Sequence, residues 1–273
     1  MNRSLGIRNF FDANGYYLIK KLFNKQECKN FRMAMNKHFK LSECELKQKE
    51  IDSQTFVEPD GLTKNKNFWE IIFNQKILKV VREIIGDDIS YTQHSDLHIN
   101  LGAGKYHRDN VDRFYKKGPD WNEKNQDYKV VRVAVYLSDY SKSGSSLVIF
   151  PNSNKKETFI NKLEFRFWNL IRLKWTSFFN KNKLPHIFLS AKMKKIKNSE
   201  GDCIIFDQRL IHAGGVIKGP YPKYACYLSY GAKNNEHTTN HHNYYLSRPT
   251  YLKEIPKDLK KKLEKSYLLF PKK

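Results

Sequence analysis

The run Gly201-Asp202-Cys203-Ile204-Ile205-Phe206-Asp207-Gln208-Arg209-Leu210-Ile211-His212-Ala213-Gly214-Gly215 decides how this chain reads. Its first half has strand composition, and a lone histidine follows before two glycines. Far upstream stands Tyr106-His107-Arg108-Asp109, an H-x-D. On an extended chain side chains alternate faces, so His107 and Asp109 point one way and Arg108 the other. A third partner for them must come from another strand, which the long separation to His212 permits.

Two imidazoles and one carboxylate on one face of a metal are the ligand set of non-heme Fe(II) centres, with about three positions left open. Either histidine alone reads more simply as a core residue, or as the ion-pair partner of Asp109. The three together, in this order, favour a metal.

Composition sets bounds around that site. The chain has 273 residues, enough for one domain with a full core, and its 18 Phe and 16 Tyr point to a globular protein. The four cysteines form no C-x-x-C pair and read as free thiols, with Cys203 and Cys226 in apolar, core-like runs. No apolar run is long enough for a membrane span, and Met1 to Asn14 lacks the apolar stretch of a signal peptide. The expected location is cytoplasmic, with peripheral contact at the inner membrane face left open. A formal net charge of +22 fits an anionic partner, or lysines spread over solvated faces.

A single domain is expected, mainly helical over residues 1–88, with strands over 89–154 and 201–235. A basic insertion spans 155–200 and a tail 236–273. Phe10 to Gly15 reads as a turn and Tyr16 to Ile19 as a strand. Asn24 with Glu27 forms a capping box that opens a helix to about Phe39. Residues 41–67 read as irregular, and a helix from Phe68 ends at Gly86. Strands follow at Ile89–Leu101, Lys129–Asp139, Ser146–Phe150, Asp202–Phe206 and Lys223–Gly231. The class is therefore α+β, an all-β core with flanking helices. In the insertion, Leu163, Phe167, Leu170, Ile171 and Trp175 share one helical arc, with Arg166 and Arg172 opposite.

On the residues from Phe11 to Ile19, through His107 and Asp109, Val135 to Asp139, Gly144 to Ser153 and Gly201 to Gly215, the chain resembles the phytanoyl-CoA dioxygenase family of Fe(II)/2-oxoglutarate oxygenases. The resemblance implies a double-stranded β-helix, or jelly roll, with iron held by His107, Asp109 and His212. It implies a dioxygenase that hydroxylates a C–H bond of a small or amphiphilic metabolite, with 2-oxoglutarate and O2 as co-substrates and succinate and CO2 as co-products. Because Asp109 fills the position that related halogenases leave to chloride, hydroxylation or oxidative dealkylation is favoured over halogenation.

The family usually places an arginine after the distal histidine to clamp the far carboxylate of 2-oxoglutarate. Here Lys223 stands in that place, supplying charge without the bidentate fork. A surface lysine on an edge strand is the other reading, and Arg132 is the fallback anchor. His94 and His98 share one strand face without an assigned role. His237-Thr238-Thr239-Asn240-His241-His242 reads as a solvated loop in preference to a metal pair, and Lys257–Lys265 as a charged exposed helix. The substrate is expected to be a small or amphiphilic, possibly anionic, molecule. Two other readings compete: a nucleic-acid-directed oxygenase, though no nucleic-acid motif is evident, and a non-catalytic jelly-roll binding protein.

Overall fold

The computed structural model describes residues 3–42, 44–51, 54–102, 106–110, 128–144, 147–155, 193–215 and 217–271, together with Leu163, Arg166, Phe167 and Leu170. Most of the 155–200 insertion lies outside the described residues.

The strands are β1 (Tyr16–Ile19), β2 (Phe56–Pro59), β3 (Ile89–Tyr91), β4 (Asp96–Ile99), β5 (Val130–Tyr136), β6 (Leu147–Ile149), β7 (Lys194–Ile196), β8 (Cys203–Asp207), β9 (His212–Gly214) and β10 (Tyr224–Ala232). A seven-stranded sheet runs β1-β8-β5-β10-β4-β2, with β3 also paired to β10. A smaller sheet runs β7-β6-β9. All described pairings are antiparallel, and the two sheets face each other as a double-stranded β-helix.

Strand β5 shows why the layers form. Val131, Val133 and Val135 pack outward into the large cluster under the helices. Ala134 and Tyr136 point inward, where they meet Leu147 and Ile149 of the small sheet and Phe206 of β8. This period of two, with both faces buried, is what a central strand between a helical layer and a second sheet requires. The outer layer includes the helix Gln75–Ile85, which buries Ile77, Leu78, Val80, Val81, Ile84 and Ile85. Gly201 holds the entry to β8 at φ +83°, where its carbonyl accepts from Leu22 and Phe23; a Cβ there would lie 2.0 Å from the Phe23 oxygen.

Several expectations meet the structure directly. The capping box at Asn24 and Glu27 opens a helix over Lys25–His38. The helix expected from Phe68 is broken, because the Asn74 side chain accepts from the amides of Lys76 and Ile77 and starts a second helix. The Phe10–Gly15 turn is instead the end of a helix, Arg3–Asn14. The stretch 41–67 is not all irregular: it supplies β2, and with β1 the mainly helical N-terminal part thus provides both edges of the large sheet. Residues 236–273 hold two packed helices, Glu236–Ser247 and Lys257–Lys265, and Leu259 and Leu263 of the second are fully buried in the main core. The solvated loop expected at His237 to His242 is therefore a helix with buried His241 and His242.

Candidate metal centre

His107 and His212 are brought together by the backbone. Each amide donates to the other's carbonyl at 3.0 Å, so the H-x-D segment adds an edge to the small sheet beside β9. The Asp109 amide donates to the Gln208 carbonyl at 2.7 Å, which sets the carboxylate beside the two rings. The ligand atoms of His107, Asp109 and His212 all lie within 4.8 Å of one another. His107 Nε2 is 3.5 Å from Asp109 Oδ1, and His212 Nε2 is 3.6 Å from Asp109 Oδ2.

These separations suit one ion. A metal roughly 2.1 Å from each donor at near right angles would space donors about 3 Å apart, and the two carboxylate–imidazole separations lie a little beyond that. The protonation pattern fits as well. His212 Nδ1 lies 2.9 Å from the Leu210 carbonyl, which calls for the proton on Nδ1 and leaves the Nε2 lone pair toward Asp109. Burial, with His107 adding to it, lowers the His212 pKa to about 4, so the ring is neutral near pH 7. Burial alone would raise the Asp109 carboxyl, but His212, His107, Arg132 and His94 outweigh it and hold it at about 2. The donor set is thus two imidazoles and an anion. The His107 side chain is 48% exposed against 6% for His212, so the centre opens on the His107 side.

Lys223 and Arg132 sit in the barrel interior in different circumstances. Lys223 is 3% exposed, and it precedes β10, the central strand of the large sheet, not an edge. The surface-lysine reading is thereby corrected. Its Nζ donates to the Leu101 carbonyl at 2.9 Å and lies 3.3 Å from the Tyr227 hydroxyl. Nearby, His98 Nδ1 is buried without a hydrogen-bond partner, and its ring packs on Tyr227. The Tyr136 hydroxyl, close to Tyr227, makes no hydrogen bond of good geometry. Unmatched buried polar atoms beside an ammonium group are what a polar small molecule would complete.

Arg132 is already committed. Its Nη2 donates to Asp96 Oδ2 at 2.6 Å, and Nη1 donates to the His94 carbonyl at 2.7 Å and to Ser229 Oγ at 3.2 Å. Sequence reasoning missed Asp96, although it lies between His94 and His98 on the same alternating face. It also missed Tyr251, whose hydroxyl donates to Asp96 Oδ1 at 2.7 Å from the segment read as a tail. Among the described residues, His237, His241 and His242 form no metal-ligand group.

The family model for phytanoyl-CoA dioxygenase (PhyH) matches residues 11–224. The chain belongs to that family. This PhyH-family member is therefore an oxygenase of the Fe(II)/2-oxoglutarate-dependent class. By sequence, no curated protein matches the chain. Among solved structures, HygX from Streptomyces hygroscopicus, with nickel and 2-oxoglutarate bound, is similar at TM-score 0.60 and 15% identity over 86% of this chain and 88% of that one. EctD from S. alaskensis, with 2-oxoglutarate and 5-hydroxyectoine, is similar at TM-score 0.55 and 15% identity over 86% and 77%. The epimerase SnoN from nogalamycin biosynthesis is similar at TM-score 0.55 and 10% identity over 84% and 81%. At these identities the likeness is one of fold, and it is the fold that the two facing sheets describe.

Proposed function

We propose that this PhyH-family member is a hydroxylase that binds Fe(II) through His107, Asp109 and His212 and takes 2-oxoglutarate as co-substrate. The observation that carries the reading is the convergence of those three donors within 4.8 Å at the edge of the small sheet. Iron with 2-oxoglutarate and O2, when bound, supplies the oxidation that places oxygen at a substrate C–H bond and releases succinate and CO2.

The chain's own residues supply the setting. Leu210 fixes the His212 tautomer, and Asp109 gives the centre an anionic donor. Lys223 holds a positive charge in the barrel for the far carboxylate of 2-oxoglutarate, with the Tyr227 hydroxyl beside it. The apolar interior around Leu147, Ile149 and Phe206 keeps water from the centre. The exposed flank of His107 leaves room for a small substrate. HygX was crystallised with hygromycin B bound and EctD with 5-hydroxyectoine, which supports a small-molecule substrate class here. Anaerobic titration with Fe(II) and 2-oxoglutarate tests the reading through the charge-transfer absorption of the chelate. No such band, together with no succinate formed in air, removes it in favour of a non-catalytic binding protein.

One observation favours a peripheral contact with an anionic membrane as well. Leu163, Phe167 and Leu170 are helical, fall on one face, and are 51%, 52% and 57% exposed on a chain of net charge +22. An amphiphilic substrate drawn from that surface suits the same face. Among the described residues no helix is long and apolar enough to cross a membrane.

A further inference from the structure

Arg132 approaches the metal centre as well as Asp96. Its Nε lies 3.9 Å from Asp109 Oδ2, while the side chain is only 4% exposed. The guanidinium cannot drift. Asp96 Oδ2 accepts from Nη2 at 2.6 Å, and the His94 carbonyl and Ser229 Oγ take both Nη1 protons. Asp96 is fixed in turn: its Oδ1 accepts from the Tyr251 hydroxyl at 2.7 Å and from the Asp60 amide at 3.4 Å, and His94 Nε2 stands 3.5 Å from Oδ2. A cation is thus clamped between two carboxylates, one saturated by donors and the other part of the proposed iron site.

That arrangement argues against Arg132 as a co-substrate anchor, because its fork is spent on protein acceptors. It argues for a different role. Arg132 stands beyond hydrogen-bond distance, at 3.9 Å, so it acts on the Asp109 carboxylate through its fixed charge, which biases where the carboxylate sits relative to the two imidazoles.

We propose that Arg132 is the positioning residue of Asp109: braced by Asp96 and Tyr251, its fixed charge beside Oδ2 holds the carboxylate in place against the two histidines. The proposal rests on the iron-site reading above. It ties the C-terminal segment, through Tyr251, to the geometry of the centre. The deepest part of this site is therefore completed by residues that follow the last strand.

The test separates positioning from mere structural support. Removing Arg132 alone leaves Asp96 buried and unpaired, a folding cost unrelated to the metal. The informative variant is the pair Arg132→Met with Asp96→Asn, which removes both charges together. Calorimetric titration of the metal-free protein with Ni(II), and the visible spectrum of the Co(II) form, read the site without turnover. With an unfolding midpoint near that of wild type, the paired variant is expected to bind Ni(II) about 10–100-fold more weakly, the usual effect of losing such a partner. Its cobalt bands should also be altered. Arg132→Lys, which keeps a cation and a donor, should recover part of the loss. A paired variant with wild-type Ni(II) affinity and an unchanged cobalt spectrum overturns the proposal and makes Arg132 only the partner of Asp96. Wild type that shows no Ni(II) binding sensitive to Asp109→Ala overturns the iron-site reading itself, and the positioning role with it.

Discussion

The Nδ1 atom of His212 sits 2.9 Å from the carbonyl oxygen of Leu210, two residues earlier in the chain. The contact is local, so the ring orientation is set by the same β9 backbone that pairs with His107. Asp109 is the one anionic donor of the three, and no other carboxylate among the described residues joins that group. Asp109→Ala should therefore reduce Fe(II)-dependent succinate formation to the level of protein stripped with a chelator, while the unfolding midpoint stays near that of wild type. Full turnover in the alanine variant would move the iron elsewhere.

Lys223 carries the second prediction. It is buried beside the Tyr227 hydroxyl, and among the described residues no carboxylate forms an ion pair with it. Lys223→Ala should raise the 2-oxoglutarate concentration needed for half-maximal succinate formation at least tenfold, since a lost charge-assisted contact costs about 1.5–3 kcal/mol. Lys223→Arg should retain turnover, because the longer fork suits a carboxylate. Equal kinetics for wild type and the alanine variant would assign the anchor to another group.

How far these residues were legible depends on whether the signal is local. The alternation Val131-Arg132-Val133-Ala134-Val135-Tyr136 announces a central strand because both of its faces are written in the sequence. H-x-D and the distal histidine announce their shared face for the same reason. The helix Glu236–Ser247 was not legible: Asn, His and Thr are weak helix formers, and its stability comes from packing. Asn235 caps it, Thr238 fits against Gly231, and His241 and Tyr245 are buried over the barrel. The brace Asp96–Arg132–Tyr251 was hidden because it joins three segments far apart in sequence, and no spacing rule connects them. The helix Arg3–Asn14 was missed because Gly6 and polar residues interspersed along it weaken its amphipathic pattern.

Those buried histidines make stability depend on pH. Burial, aided by Arg132, lowers His94 to about 4, and burial lowers His242 to about 4; His241 is held well below its ordinary value by burial and by His94. Each is depressed below the unfolded value of 6.5, so between about pH 6.5 and 4 the unfolded chain binds more protons than the folded one. Stability is complete above pH 6.5 and falls as the pH drops, by up to about 1.4 kcal/mol per pH unit for each histidine. Asp60, raised by burial to about 6, acts in the opposite direction and offsets roughly one of them. Thermal unfolding of the metal-free protein should show a midpoint that declines from pH 7 to pH 5. A midpoint that is flat or rises over that range contradicts the neutral buried cluster.

The exposed helical face gives the last prediction. Leu163, Phe167 and Leu170 are spaced by four and three residues and so lie on one side of a helix. On the proposed membrane reading these exposed apolar side chains enter the interface, and the +22 charge of the chain favours an anionic one. Protein incubated at low salt with vesicles containing phosphatidylserine should float with them and stay behind with vesicles of neutral phosphatidylcholine. High salt should release it, because the attraction is screened within about one Debye length, ~10 Å at 0.1 M and ~3 Å at 1 M. The Phe167→Glu/Leu170→Glu variant should fail to float while keeping its unfolding midpoint and its Fe(II)-dependent succinate formation. Wild type that remains unbound at low salt removes the membrane contact and leaves a small soluble metabolite as the substrate class. Binding that survives the double glutamate substitution would place the contact on basic surface elsewhere in the chain.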